Sequence, residues 1–204
     1  VVMLVAHHAV HALAAREVED ATGRRIPSFG NGGSMAGLGD VNGDGYSDVI
    51  VGAYGYNNGR AFLYLGSSSG LSTTASWITQ SNKTNSYYGY SVSTAGDVNG
   101  DGYSDVIVGA YSYGNGQIDE GRAYVYVGSA SGLSTAASWI TESDKASAYY
   151  GWSVSTAGDV NGDGYPDAIV SDRLYEASSS PQNLGMTYLL TGSSSGLSTS
   201  LSSA

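Results

Sequence analysis

From residue 29 onward the apolar residues fall into short runs separated by Gly, Ser, Asn and Asp. "DVIVGAY" at 105–111 is rich in β-branched residues and reads as a buried strand. In "RAYVYVG" at 122–128, Ala123, Val125 and Val127 alternate with Tyr124 and Tyr126, so both faces of that strand are apolar enough to be covered. "YSVSTAG" precedes this pair and "ASWIT" follows it, which makes four strands in one unit. The unit recurs. "YYGYSVSTAGDVNGDGYSDVIVGAY" at 87–111 returns at 149–173, and "GRAFLYLGSSSGLSTTASWIT" at 59–79 returns at 121–141. A weaker copy of the second half, "GMTYLLTGSSSGLSTSLSSA", occupies 185–204. There "TSLSSA" replaces "TASWIT", so the last strand lacks its Trp and Ile. The spacing differs mainly in one hairpin loop, where "YGYNNGRA" becomes "YSYGNGQIDEGRA". A four-stranded sheet covered on both faces and repeated about every 60 residues is the blade of a β-propeller. The expectation is an all-β chain of three four-stranded propeller-type blades, an open or partial β-propeller. The blades are expected at 29–81, 82–143 and 144–204, the last incomplete. Trp77 and Trp139 read as packing residues between blades.

Residues 1–28 belong to no repeat. "VHALAAREVED" is a good helix former, and the segment is expected to be helical. It lacks the basic leading region of a signal peptide. An ordered apolar terminus must pack on something, either its own blades or a neighbouring subunit. His7 and His11 would share a helix face at a spacing that metal pairs use, but "HHAVH" lacks the Glu of HExxH, and His7, His8 and His11 read as ordinary surface or packing residues.

Composition narrows the classes. Only 13% of the residues are charged and the net charge is −10, so there is no basic face for nucleic acid. With 30 Gly, 17 Tyr and 3 Pro the chain suits short strands and tight turns. There is no Cys, hence no disulfide framework. No apolar run reaches the roughly 18 residues of a membrane-spanning helix, so no membrane span is expected.

Against this charge-poor background, nine of the 18 acidic residues sit in three copies of one loop: "DVNGDGYSD" at 40–48 and 97–105, and "DVNGDGYPD" at 159–167. Crowded carboxylates repel unless a cation lies among them. Oxygen side chains fall at loop positions 1, 3, 5 and 9. These are Asp40, Asn42, Asp44 and Asp48; Asp97, Asn99, Asp101 and Asp105; and Asp159, Asn161, Asp163 and Asp167. Gly45, Gly102 and Gly164 hold position 6, where a calcium loop turns sharply. The carbonyls of Tyr46, Tyr103 and Tyr165 at position 7 add another oxygen. Hard oxygen donors without His or Cys suit Ca²⁺ better than the smaller, octahedral Mg²⁺, and three calcium ions are expected. The loops are not EF-hands, because position 12 is Val51, Val108 or Val170 rather than Glu. The bland alternative is a solvated Asp/Asn/Gly turn; three copies in register favour the ion.

These units resemble FG-GAP repeats, the blades of the integrin α-chain N-terminal propeller and of many bacterial surface proteins. The Phe-Gly of that family is Tyr88-Gly89 and Tyr150-Gly151 here. Its Gly-Ala-Pro is Gly52-Ala53-Tyr54 and Gly109-Ala110-Tyr111, and the third unit departs with Ser171-Asp172-Arg173. The resemblance covers about residues 29–204. It implies calcium in a hairpin at each blade edge, a secreted or cell-surface location, and a role in adhesion or recognition without catalysis.

Family propellers close with about seven blades, and three cannot make a ring. Three explanations stand side by side: a piece of a longer protein, a self-assembling arc, or a compact three-blade fold with an unusual cap. The two ends are unlike, so head-to-tail self-association into an oligomer or filament is expected, with the N-terminal segment packed on a neighbouring subunit. The resulting expectation is a calcium-stabilised structural or adhesive repeat protein, not an enzyme, with itself, a surface protein or a glycan as partner. The alternatives are a carbohydrate-binding module using exposed Tyr, and an accessory domain of a secreted polysaccharide-degrading enzyme. Asn82-Lys83-Thr84 is the one N-glycosylation sequon.

Overall fold

The computed structural model describes residues 33–56, 58–174 and 185–198 in full, together with the backbone of three short strand segments at 17–19, 25–27 and 202–203. Fourteen strands are described, and no helix among these residues. Strands β1 (Glu17–Glu19) and β2 (Arg25–Pro27) form a two-stranded antiparallel ribbon in which Val18 is opposite Ile26. This corrects the helix expected over the N-terminal segment, as far as that segment is described. Each ribbon strand centres on a β-branched residue, and Pro27 cannot sit in a helix interior. The three histidines and the rest of residues 1–28 lie outside the described residues.

The other strands make three antiparallel four-stranded sheets in simple meander order. Blade 1 is β3 (Met35–Gly37), β4 (Val49–Ala53), β5 (Arg60–Tyr64) and β6 (Trp77–Gln80). Blade 2 is β7 (Tyr88–Gly96), β8 (Asp105–Ala110), β9 (Arg122–Tyr126) and β10 (Trp139–Glu142). Blade 3 is β11 (Ser153–Gly158), β12 (Asp167–Asp172), β13 (Met186–Leu190) and β14 (Ser202–Ser203). The fourth strand of blade 3 is short and pairs only opposite Tyr188 and Leu189. The sheets do not close into a barrel or ring.

The two-residue period of a strand gives each blade two apolar faces, and the faces explain how the blades stack. The back face of blade 1, Ile50, Ala61 and Leu63, forms one core with the front face of blade 2, Val106, Val108, Tyr124 and Tyr126. The back face of blade 2, Ile107, Ala123 and Val125, forms the next core with Ala168, Val170, Tyr188 and Leu190 of blade 3. Strand β7 touches β3, β4 and β5 on one side and β11 and β12 on the other, so it is the hinge line of both joints. Trp77 packs as the sequence suggests. It is buried, its ring meets Tyr126 edge-on at 4.9 Å, and its Nε1–H donates to the Ser134 carbonyl of blade 2 at 3.0 Å. Tyrosine hydroxyls bridge the joints, with Tyr126 of blade 2 at 3.4 Å from Thr79 of blade 1 and Tyr150 bonded to Thr141 of blade 2 at 2.9 Å.

The third blade carries one charge inside a joint. Where blades 1 and 2 have the buried Ala53 and Ala110, blade 3 has Asp172, also buried. The Tyr188 hydroxyl donates to Asp172 Oδ2 at 2.9 Å, while Oδ1 has no partner. Burial pushes the Asp172 carboxyl up to about 7, against the hydrogen bond from Tyr188 and the positive charge of Lys145. Between an ordinary carboxyl value of 3.8 and about 7, the folded chain keeps a proton that the unfolded chain has lost. This contribution to stability therefore declines as pH rises through that window and is flat above it. Asp172→Asn keeps an acceptor for Tyr188 and removes the charge. It should match the wild type near pH 4 and exceed it by about 1–2 kcal/mol at pH 8 in urea denaturation; equal pH profiles would refute the assignment.

Candidate metal centre

Each of the three acidic loops joins the first two strands of its blade, and each is folded by its own carboxylates. In the first loop, Asp40 Oδ1 accepts amides from Asn42, Gly43 and Asp44, and Oδ2 accepts the Gly45 amide at 2.6 Å. Asp44 Oδ1 accepts the Tyr46 amide at 2.9 Å, and the Asn42 side-chain amide donates to Asp44 Oδ2 at 3.1 Å. The second loop repeats this with Asp97, Asn99 and Asp101, and the third with Asp159, Asn161 and Asp163. The position-6 glycines carry the turn with left-handed backbone, φ 91° at Gly102. Burial works to raise the Asp40 carboxyl, but the amides of Gly45, Gly43, Asp44 and Asn42 outweigh it and hold the group below the usual carboxylate range. At Asp159 the Gly164 amide leads the same lowering. The Asp40 and Asp159 carboxylates are therefore firmly ionised.

Position 9 behaves differently. Asp48, Asp105 and Asp167 are fully buried. Asp48 accepts the Val41 amide on one oxygen and the Gly66 amide on the other, both at 2.9 Å. Asp105 takes Val98 and Gly128 in the same way, and Asp167 takes Val160 and Gly192. This carboxylate ties the acidic loop to the turn after the third strand. Burial raises Asp48 and pushes Asp105 up to about 7, with Asp101 and Asp97 adding to the effect at Asp105.

The loops also lie on the joints. The ring of Tyr103 rests against Gly43 of the preceding loop, and the ring of Tyr165 against Gly100. The Val41 carbonyl accepts the Ser129 amide of blade 2, and the Val98 carbonyl accepts the Ser193 amide of blade 3, each at 3.1 Å. The sequence reading missed this second role of the loops and the double amide acceptance at position 9. The signal was present in the "GSxSGL" turns that begin at Gly66, Gly128 and Gly192 in every unit.

The oxygen-only donors at positions 1, 3 and 5 are brought together in each loop and fit a hard cation by chemistry. The position-9 carboxylate is turned to backbone amides, and among the described residues no three acidic or histidine side chains converge as a ready-made metal cluster.

The family model described as "FG-GAP-like repeat" matches residues 40–108 and again 97–170. The chain belongs to the FG-GAP-like repeat family. It is similar to integrin alpha-6 of Gallus gallus, 31% identical over 141 residues, which covers 64% of this chain and 12% of that protein. It is similar to integrin alpha-7 of Rattus norvegicus, 33% identical over 156 residues, or 73% of this chain and 13% of that protein. A shorter stretch of 84 residues is 44% identical to integrin alpha-IIb of Mus musculus, covering 39% of this chain and 8% of that protein. The chain thus spans only about an eighth of the length of the first two.

Removing the position-9 carboxylate should unfold the loop whether or not an ion is there. Asp105→Ala leaves the Val98 and Gly128 amides without acceptors, at about 1–3 kcal/mol each. The expected loss of about 2–6 kcal/mol should persist in excess EDTA when measured by chemical denaturation. A loss confined to calcium-containing buffer would make Asp105 a ligand only.

Proposed function

We propose that the chain is a non-catalytic adhesion or recognition domain of a secreted or cell-surface protein, stabilised by one calcium ion in each of its three acidic loops. The observation that carries this reading is the threefold repetition of the loop geometry. In each copy a position-1 carboxylate that accepts backbone amides stands beside the Asn and Asp oxygens of positions 3 and 5, on an otherwise charge-poor chain. Asp40, Asn42 and Asp44, with the Tyr46 carbonyl, would hold the first ion. Asp97, Asn99, Asp101 and Tyr103 would hold the second, and Asp159, Asn161, Asp163 and Tyr165 the third. The position-9 aspartates would add a ligand by sharing an oxygen that already accepts an amide. An ion there would neutralise like charges and pin the loop against the next blade. Kinship with integrin α chains supports the adhesive role and the surface location. No helix among the described residues is long and apolar enough to cross a membrane, which leaves β-barrel spans unaddressed. We treat 29–81, 82–143 and 144–204 as the working units.

A carbohydrate-binding role has one observation in its favour. Tyr54, Tyr87, Tyr90, Tyr111 and Trp152 form a continuous, partly exposed aromatic group across the blades, with Tyr87 and Tyr111 stacked at 4.8 Å and Tyr90 and Trp152 at 4.8 Å. Saccharides stack on such rings, and a glycan array with the isolated chain decides between this role and protein adhesion. The accessory-domain alternative needs a catalytic part beyond these residues. Head-to-tail association of copies would need the back face of blade 3 to receive blade 1 of a second chain.

Calcium titrated calorimetrically should fill three sites with dissociation constants on the order of 10⁻⁴–10⁻³ M, as in other extracellular modules. EDTA should lower the melting temperature, and Asp101→Ala should reduce the stoichiometry to two. A melting curve indifferent to EDTA would sink the calcium reading.

A further inference from the structure

The joint between blades 1 and 2 is closed near its inner strands and open near its outer ones. A Cβ on Gly52 would fall within 3.0 Å of the Gly89 carbonyl oxygen, so the two backbones touch there, and Gly109 repeats the contact against Gly151 in the next joint. Farther out, a cleft of about 180 Å³ opens between the end of β6 and the front of blade 2. Gln80 and Asn82 line it from the end of β6 and the loop after it, and Tyr113, Arg122, Tyr124 and Ile140 line it from blade 2. Ile140 lies opposite Tyr124 across the sheet and is 45% exposed, so the mouth is open to water.

The lining is aromatic and hydroxyl-bearing, and its one charge is answered. Tyr88 and Tyr126, both buried and both on the cleft, share a hydroxyl–hydroxyl bond of 2.8 Å. The Tyr113 hydroxyl donates to Asn82 Oδ1 at 3.1 Å. Arg122 lies over the Tyr113 ring at 4.1 Å and its Nε–H donates to Glu142 Oε2 at 2.9 Å. Glu142 thus neutralises the guanidinium, and no other lining residue is charged.

The joint itself does not require this equipment. Between blades 2 and 3 the positions of Arg122 and Tyr126 are taken by Met186 and Leu190. Leu190 is fully buried there, and the two blades still share one core. The guanidinium and the Tyr126 hydroxyl of the first joint are therefore not demanded by blade stacking.

We propose that the cleft between blades 1 and 2 is a saccharide site that takes a single neutral pyranose ring. Apolar walls with a few convergent polar groups are the general form of a small-molecule site. A pyranose offers an apolar C–H face to the tyrosine rings and hydroxyls to the rim, where the tyrosine, Asn82 and Gln80 side chains can both donate and accept. The paired Arg122 leaves no free charge for an anion. The site lies apart from the Tyr54–Trp152 aromatic group, and it rests on no calcium ion.

Titration of the isotope-labelled full chain, followed by amide NMR, tests the assignment. The probes are methyl β-D-glucopyranoside, methyl β-D-galactopyranoside and methyl α-D-mannopyranoside. At least one should shift the amides of Ser81, Asn82 and Arg122 with a Kd on the order of 1 mM, ordinary for a ligand of about a dozen non-hydrogen atoms. Ile140→Trp, which fills the cleft from an exposed position, should weaken binding by about tenfold or more. Gln80→Trp fills it from the other side should the first variant fail to fold. Tyr87→Ala, in the separate aromatic group, should leave the Kd unchanged. Glycosides that shift no amide, a Kd unmoved by the filling variants, or binding lost in a folded Tyr87→Ala chain would each overturn the proposal. Glycoside binding that persists in EDTA, in a chain whose melting ignores calcium, would keep this site and sink the calcium reading, so the two fail separately.

Discussion

The Asp105 carboxylate sits buried between two connections of its own blade and accepts an amide from each, Val98 before its strand and Gly128 two strands later. Hydrogen bonds to an ionised acceptor are among the stronger ones available to a chain, and burying that acceptor without them would be costly. The same pair of bonds is made at Asp48 and Asp167. Much else follows from this one arrangement. It fixes where the acidic loop leaves the sheet and holds the first two strands in register with the third. It also sets the direction of the position-2 valine, whose carbonyl in loops 1 and 2 accepts an amide from the following blade. A carboxylate that orders one blade thus also places the contact with the next.

The electrostatics of the loop follow from the same constraint. The position-9 group is buried and lies near two more carboxylates, and the result at Asp105 is a carboxyl pushed up to about 7. The position-1 group is ringed by amides and held low at Asp40 and Asp159. Loop 1 therefore sets a buried, reluctant anion, Asp48, beside a firm one, Asp40. A cation near positions 1, 3 and 5 would relieve the first without disturbing the amide bonds of either. This is why the fold and the calcium reading support each other while remaining separable: the amides serve the fold, and the remaining lone pairs are what an ion would use.

The repeat, the four-strand unit and the acidic loops were legible in the sequence because each leaves a local pattern. Alternation at Ala123 to Val127 marks a two-faced strand, and "DVNGDGY" marks a turn crowded with carboxylates. Other features were not legible. The meaning of Gly52 and Gly109 lies in the carbonyl of the next blade, some 40 residues away, and no local pattern reports such a contact. Nor were the amide partners of the position-9 aspartate legible, because Gly66, Gly128 and Gly192 are placed by the hairpin that follows. The N-terminal segment misled for a different reason. Ala, Leu, Arg and Glu favour a helix locally, but helix propensity is a weak prior that pairing with a second strand overrides at Glu17–Glu19.

The three loops, nearly identical in sequence, are not equivalent in the structure, and the difference bears on what calcium would do. Loops 1 and 2 each lie under the tyrosine ring of the following loop and bond across a joint through Val41 and Val98. Loop 3 has no such neighbour among the described residues, and its Val160 faces solvent. In a stack where each repeat contacts only the next, stability is close to a sum of blade terms and joint terms. An ion in loop 1 or 2 acts on both, since ordering the loop also orders the surface on which the next blade rests. Among the described residues, an ion in loop 3 would touch its own blade alone. The arc is accordingly polarised. Any calcium dependence within these three blades would weigh most on the two internal joints, where the Val41 and Val98 carbonyls bond to the next blade.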